Sequence, residues 1–279
     1  DYIKDNLLDP AQTAVWCFES HVPCNIRLYP QLIKGIMEAS GGGMEKVAVY
    51  VGNLSMNDIS IQASIEAYFA YMFGGMLRKI GCKIRPYEKE KGMTDKAVTE
   101  ALNIFYNTLL GGRNKDDDLA KVIGMFKKIE TIPAKRPKVA IFGDLYARDN
   151  DVFNQDLIHC IEEYGGEVIT TPFNELAKMV ADPYIRRWFH EGLYMDALFT
   201  KTIMTLVGQL EKNYYKSFNE LLHETALDTD FDYKDIYDNF AVKTQHFGES
   251  VDNLIKITAL IKRHPDISLF VQTNPAFCC

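Results

Sequence analysis

Short apolar runs alternate with segments of helical periodicity along most of this chain. Continuous apolar runs bounded by turn residues are typical of buried strands, and apolar spacings of three and four are typical of helices. We predict strands over residues 13–18, 46–51, 82–85, 139–144, 167–171 and 268–272. We predict helices over residues 30–40, 94–112, 116–131, 151–164 and 250–263. We also predict a helix that begins at a cap at residue 58 or 60 and ends at residue 79, and a helical region over residues 182–222 with a break at Gly192. The order strand, helix, glycine pair, strand over residues 139–171 predicts a right-handed βαβ unit, and hence an α/β protein.

A charged stretch divides the chain into two predicted domains. Residues 113–137 are rich in charged side chains and contain Pro133 and Pro137, which are typical of a connection between folded segments. Within this stretch, Asp116 to Asp118 are predicted to open a polar-faced helix. We therefore predict a first α/β domain over residues 1–112, a charged helical linker over 113–137 and a second α/β domain over 138–279.

The composition of the chain makes nucleic acids and membranes unfavourable as binding partners. The chain has 279 residues, a formal net charge of −7 and a pI near 5.4, which is unfavourable for binding nucleic acid or an anionic membrane. The longest apolar helical stretch, residues 59–80, contains Gln62, Ser64 and Glu66 and is not expected to span a membrane. No secretory signal is apparent at the N-terminus, so we expect a cytoplasmic protein with reduced thiols.

Cysteines near the two ends of the sequence are the first candidate for chemistry. Cys17 and Cys24 accompany the first predicted strand, and Cys278 and Cys279 follow the last one. Ligands of open α/β sheets bind beyond the carboxyl ends of the strands, so thiols from these two distant segments are expected to converge on one metal centre. Thiolates are the usual ligands of iron–sulfur clusters.

A second interpretation treats the six cysteines as scattered core residues. No C-x-x-C pair occurs, and a free cysteine is among the residues most often buried. We expect Cys82 and Cys160 to lie in the core under either interpretation.

The polar loop over residues 143–151 is the second candidate. It follows a predicted buried strand, and Arg148 is a residue that holds a phosphate or carboxylate through its two-pronged guanidinium. The alternative is that Asp149 and Asp151 only cap the following helix. Residues 244–250 are a third candidate, because the free main-chain N–H groups at the start of the following helix are able to bind an anion. The alternative is that these residues only cap the helix.

Four ordered blocks of sequence resemble the 2-hydroxyacyl-CoA dehydratase superfamily. They are PCNIRLY at residues 23–29, GCKIRPYE at 81–88, GDLYARDND at 143–151 and NPAFC at 274–278. The chain is most similar to the activase-related proteins of this superfamily and to the double-cubane cluster proteins, over a range from about Cys17 to the last residue.

The resemblance implies two Rossmann-like three-layer domains with mostly parallel sheets and long connecting helices. It implies an oxygen-sensitive iron–sulfur cluster of the four-iron or double-cubane type, as in anaerobic metabolism, held by Cys24, Cys278 and, as a third ligand, Cys17. An ATP-dependent iron–sulfur activator is the implied electron donor and partner. The implied activity is electron transfer, as an iron–sulfur reductase or as a dehydratase (lyase) component. Tyr146, Arg148, Asp149 and Asn150 are the implied substrate-channel candidates.

The sequence also departs from the family pattern. Family members carry a further cysteine upstream and continue beyond the Asn-Pro block, so the resemblance implies a portion of a longer protein, or a homo-oligomer. Two alternatives remain open: a cluster-free scaffold or interaction domain of a large activase-type protein, and a zinc-binding or small-molecule-binding α/β domain.

Overall fold

The computed structural model describes residues 2–18, 25–52, 60–223, 238–241 and 249–275. These residues form a mixed helix and strand structure with small parallel sheets, which agrees with the α/β part of the predicted fold class. The described residues up to Ser64 form one compact unit, and Ile65–Pro275 form another. Compactness does not establish which segments fold alone, so the predicted domains at 1–112 and 138–279 stay predictions.

The first unit contains a two-stranded parallel sheet. Its elements are α1 (Tyr2–Asp5), β1 (Ala14–Phe18), α2 (Tyr29–Ala39) and β2 (Ala48–Gly52). The strands pair in register from Ala14 opposite Ala48 to Phe18 opposite Gly52. The buried core of this unit is small and is formed by Ile3, Met44 and Val47. Both predicted strands and the predicted helix over residues 30–40 are confirmed.

The remaining elements begin with three helices, and strands with helices between them follow. They are α3 (Ile61–Ile84), α4 (Met93–Gly111), α5 (Lys115–Phe126), β3 (Lys138–Gly143), α6 (Leu145–Asp149), α7 (Leu157–Glu163), β4 (Glu167–Ile169), α8 (Glu175–Glu191), α9 (Tyr194–Leu222), α10 (Glu249–Arg263) and β5 (Ile267–Thr273). None of the described helices is both long enough and apolar enough to cross a membrane.

A helical core joins α3, α4, α5 and the C-terminal part of α9. Phe73 of α3 stacks on Phe105 of α4 with ring centroids 4.4 Å apart and also contacts Phe218 of α9. Helix α5 buries Val122 and Phe126 in the same cluster. The helix predicted to be a polar-faced linker therefore has an apolar face in the core, and it ends at Phe126 rather than near residue 131.

The second sheet has the strand order β4-β3-β5, and both pairings are parallel. The central strand β3 is almost entirely buried, as its continuous apolar run predicts. The βαβ prediction over residues 139–171 is confirmed, although β4 ends at Ile169. Helix α10 packs on this sheet and ends at Arg263, directly before His264 and Pro265, as predicted.

Two local predictions near the end of α3 are wrong. Residues 82–85 are not a strand: α3 continues to Ile84, and a 3-10 turn follows over Arg85–Tyr87. Thr94 does not cap α4, because the buried carboxylate of Glu88 accepts hydrogen bonds from the main-chain N–H groups of Gly92 (2.7 Å) and Thr94 (2.8 Å). A residue distant from the helix start thus supplies the cap.

Two helix starts are also wrong. The helix predicted over residues 151–164 is divided, since α6 ends at Asp149, turns follow, and α7 begins at Leu157. Helix α8 begins at Glu175, seven residues before the predicted start at Asp182. The break at Gly192 is confirmed, because this residue ends α8 with a left-handed φ of 79°.

Candidate functional site

The loop after β3 is locked to the chain that follows β5. Gly143 has a φ of 117°, which side-chain-bearing residues rarely adopt, and a Cβ placed there would overlap the main-chain oxygen of Thr273. The next residue, Asp144, donates its N–H to that Thr273 oxygen at 2.8 Å and lies 3.1 Å from the side-chain Oδ1 of Asn274. The carboxyl ends of β3 and β5 therefore form one tight junction.

Arg148 lies at the centre of this loop and is almost completely buried. Its Nε and Nη2 donate to the two carboxylate oxygens of Asp149 at 2.9 and 2.7 Å. Its Nη1 donates to Oγ1 of Thr171, beyond the end of β4, at 2.8 Å. The Arg148 guanidinium, which we predicted to bind a ligand, instead binds the internal carboxylate of Asp149 through both of its prongs. Its bond to Thr171 connects the loop to the neighbouring strand.

The other predicted channel residues have different surroundings. The Asn150 Oδ1 accepts from the Phe153 N–H at 2.9 Å, whereas Tyr146 is exposed and its ring lies 5.9 Å from that of Phe153. The main-chain oxygen of Asp149 accepts from Arg78 of α3 at 2.6 Å. Of these four candidates, the structure thus buries Arg148 and leaves Tyr146 accessible.

The capping interpretation of the two aspartates is wrong. Asp144 caps α6 by accepting from the Ala147 N–H at 2.7 Å. Asp151 instead forms an ion pair with Arg78, with Nη1 and Oδ1 3.0 Å apart. The loop is consequently fixed to α3 through this arginine.

Only part of the predicted ligand set falls on described residues. Cys17 lies on β1 opposite Val51, near the carboxyl end of the strand, and is half-buried. Cys24, Cys278 and Cys279 lie outside the described residues, as do residues 244–248 of the third candidate segment. Within the described ranges, no three His, Cys, Asp or Glu side chains are grouped so as to hold a metal ion.

The two cysteines predicted to be core residues differ from each other. Cys82 is buried beside Ile141 and Val168, as predicted, and burial raises the pKa of its thiol to about 12. Because the thiolate is the metal-binding form, Cys82 does not fit the role of a cluster ligand. Cys160 is exposed, so that prediction is wrong: α7 turns Ile158 toward the sheet and Cys160 toward solvent.

The block over residues 81–88 contains a cluster of ion pairs that the sequence did not reveal. Arg85 donates to Asp95 at 2.7 Å and to both carboxylate oxygens of Glu162 at 2.9 Å. Burial raises the pKa of the Glu162 carboxyl, although Arg85 opposes that shift. The partners are 77 and 10 residues away along the chain, so no local pattern could identify them.

Glu167, at the start of β4, is a second buried carboxylate bound by this block. It accepts from Lys83 Nζ at 2.8 Å and from the Tyr87 hydroxyl at 2.5 Å. Partial burial, the bond to Glu167 and the negative charge of that carboxylate raise the pKa of Tyr87 to about 12. The block therefore joins the end of α3 to the sheet.

A buried polar network also lies within the helical core. The Asn174 amide donates to Glu211 at 2.5 Å and to the Tyr215 hydroxyl at 2.6 Å, and Tyr68 donates to Glu211 as well. Burial and the bond to Glu211 raise the pKa of Tyr68. The one available signal was Glu211, a charged residue within the apolar stripe of α9.

A cavity of about 420 Å³ adjoins the sheet. Its described lining includes no carboxylate and four basic side chains: Lys79, Lys83, Lys138 and Arg263. Lys83 pairs with Glu167 and Lys138 pairs with Asp266, both from outside the lining, and Lys79 and Arg263 also have interaction partners. The cavity has the size of a small-molecule site, and its described lining is rich in basic side chains.

The sequence matches no protein-family model, no curated protein and no solved structure. The resemblance to the dehydratase superfamily therefore depends on the four sequence blocks alone.

Proposed function

We propose that this chain is an iron–sulfur electron-transfer or reductase component related to the 2-hydroxyacyl-CoA dehydratases, built from two Rossmann-like domains. The supporting observation is the junction of Asp144 with Thr273 and Asn274, at 2.8 and 3.1 Å. The bond between the Asp144 N–H and the Asn274 side chain joins two blocks that carry the resemblance, 143–151 and 274–278. These two residues are 130 positions apart along the chain. The carboxyl edge of a parallel sheet is where α/β proteins bind ligands.

The proposed cluster ligands are Cys24, Cys278 and Cys17. Cys17 fits this role better than Cys82, because Cys17 is half-buried near the carboxyl end of a strand, whereas Cys82 is fully buried in an apolar cluster. When bound, the cluster would supply electrons at low potential, and an ATP-dependent activator would reduce it.

The other residues of the junction serve as a rigid support in this proposal. Gly143 permits the close approach of the two loops, and the Arg148–Asp149 pair holds the loop to the end of β4.

The test is the amount of iron and acid-labile sulfide per chain after anaerobic reconstitution. We expect about four irons per chain with matching sulfide. Cys24→Ser and Cys278→Ser are expected to lose most of the iron, and the matched control Cys160→Ser, at an exposed position outside the proposed ligand set, is expected to retain it. Iron retained in both ligand variants would contradict the assignment. An iron-free but folded wild-type chain would favour the cluster-free scaffold.

A second candidate function is the binding of a small anionic molecule. The observation that favours it is the cationic lining of the 420 Å³ cavity. Isothermal titration calorimetry with pyrophosphate tests this function. Binding by the wild type that is lost in Lys79→Met would support the function, and the absence of any heat of binding would exclude it for pyrophosphate.

A further inference from the structure

Helices α8 and α9 form a hairpin whose tip carries an unusual surface. A left-handed Gly192 ends α8, and the N–H of Leu193 donates to the Trp188 oxygen at 2.8 Å, which turns the chain directly into α9. The two helices pack against each other along the hairpin. We call residues 188–210 the hairpin tip.

The two halves of α9 differ in their surroundings. The C-terminal half buries Tyr215, Phe218 and Leu222 in the helical core. In the hairpin tip, Ala197 is the fully buried residue of α9, and several large apolar side chains of the helix are exposed. The exposed ones are Tyr194, Met195, Leu198, Phe199, Ile203 and Leu206.

The tip part of α9 therefore carries apolar side chains on its exposed side as well as on its packed side, with Thr202 and Thr205 between the exposed ones. A helix with this pattern is normally buried on all sides, whereas a surface helix presents charge to the solvent. Residues 194–210 contain only Asp196 and Lys201 as charged residues. This segment thus offers fewer charged groups to the solvent than a surface helix normally does.

The exposed area is large enough for a stable interface. Met195 is 78%, Phe199 68% and Leu206 61% exposed. Taking roughly 200 Å² for a fully exposed large side chain, the six residues together present on the order of 700 Å². A contiguous apolar patch on a monomer rarely exceeds a few hundred Å², and a stable dimer buries about 800 Å² per partner.

We propose that the hairpin tip is a dimer interface, occupied by the hairpin tip of a second copy of this chain. Two helical hairpins that join through their apolar faces form a four-helix bundle, which buries each exposed face against the other. A two-fold axis makes one patch its own partner, so that an uncharged apolar face is matched by an identical one. This inference is independent of the iron–sulfur proposal, because none of the proposed cluster ligands lies in the tip.

A lipid surface fits the tip less well than a second copy does. Helices that lie on membranes carry a Lys- and Arg-rich polar face, whereas residues 194–210 contain the single cation Lys201. The net charge of −7 also opposes approach to anionic lipid.

The experiment is sedimentation equilibrium of the full chain over a range of concentrations. We expect a mass near twice 31.8 kDa for the wild type at roughly 10 µM. The double substitution Phe199→Glu and Leu206→Glu places two like charges at the centre of the interface. It is expected to raise the dimer dissociation constant by at least about 100-fold and to leave a folded monomer, because both positions are exposed.

Tyr106→Glu is the matched control, since Tyr106 is an apolar helix residue that is 63% exposed outside the tip. It is expected to remain dimeric. Circular dichroism and thermal unfolding check that each variant folds. A monomeric wild type at roughly 100 µM, or a dimer that survives the double substitution, would overturn the proposal. A monomer that cosediments with neutral phosphatidylcholine vesicles would overturn it in favour of a lipid surface.

Discussion

Replacing Gly143 with alanine tests the junction between the loops after β3 and β5. The residue has a φ of 117°, and an added Cβ would overlap the Thr273 oxygen and lie 2.9 Å from the Oδ1 of Asn274. Both neighbours belong to the segment that carries the Asn-Pro block, and the clash involves main-chain atoms that cannot rotate away. The two strand ends must therefore separate.

The expected loss of stability has two contributions. A non-glycine residue in the left-handed region costs about 1–2 kcal/mol. Separation of the strand ends also breaks the 2.8 Å bond from the Asp144 N–H to Thr273, which adds about 1–3 kcal/mol for a donor left without a partner. We expect Gly143→Ala to lower the free energy of unfolding by about 2 to 5 kcal/mol.

Alanine substitutions at two other glycines separate the conformational contribution from the contribution of the lost hydrogen bond. Gly192 also has a left-handed φ, of 79°, but a Cβ there meets nothing within 4 Å, so Gly192→Ala is expected to show the conformational cost alone, about 1–2 kcal/mol. Gly124 lies within α5 with open space around it, and Gly124→Ala is expected to stabilise the protein by up to about 1 kcal/mol.

The assay is guanidinium chloride unfolding followed by circular dichroism, with the slope m compared among the variants. If Gly143→Ala is no less stable than Gly192→Ala, the close approach of the two loops is refuted. A change in m without a change in midpoint would also contradict the reasoning, because it would place the effect in the denatured state.

Three further predictions concern side chains. At pH 8 in the native protein, iodoacetamide is expected to modify the exposed Cys160 and not the buried Cys82, whose pKa is raised to about 12; peptide mass spectrometry measures this, and equal labelling would contradict it. The pKa of Tyr87 is raised from 10.0 to about 12 in the folded state, so its stabilising bond to Glu167 is present below pH 10 and lost as the pH rises through 12. The stability difference between wild type and Tyr87→Phe should shrink over that range, and a constant difference would argue against the bond. Arg148→Lys is expected to cost about 2 kcal/mol in chemical unfolding, because an ammonium cannot replace the two-pronged contact, and an unchanged midpoint would show that the buried ion pair is not needed.

Elements with strong local signals could be predicted. The buried run of β3 identified a central strand because a parallel strand covered on both sides needs apolar residues at consecutive positions. Gly192 and the pair His264-Pro265 identified helix ends because their backbone preferences act locally. These predictions needed no knowledge of distant residues.

Elements whose local signals are ambiguous could not be predicted. Gly81 precedes the strand predicted over residues 82–85, but it lies inside α3, where a Cβ would be 2.9 Å from the Arg85 Nη2. The glycine leaves room for the guanidinium, which reaches Glu162 across the fold. The reason for that glycine is therefore a tertiary contact.

The candidate site was located by sequence only at the level of segments. The position of residues 143–151 after a buried strand indicated a loop at the carboxyl edge of a sheet, and the structure confirms that position. Whether Arg148 faces a ligand or an internal carboxylate depends on the placement of Asp149 and Thr171 around it.

The sequence by itself determined the alternation of strands and helices, the parallel βαβ unit and the residue types available for chemistry, because periodicity and backbone preference act over a few neighbouring residues. Only the tertiary structure decided which charges pair, which thiols are accessible and which apolar side chains remain exposed. Those properties depend on contacts between residues tens of positions apart, and burial of a group follows from its neighbours in space rather than along the chain.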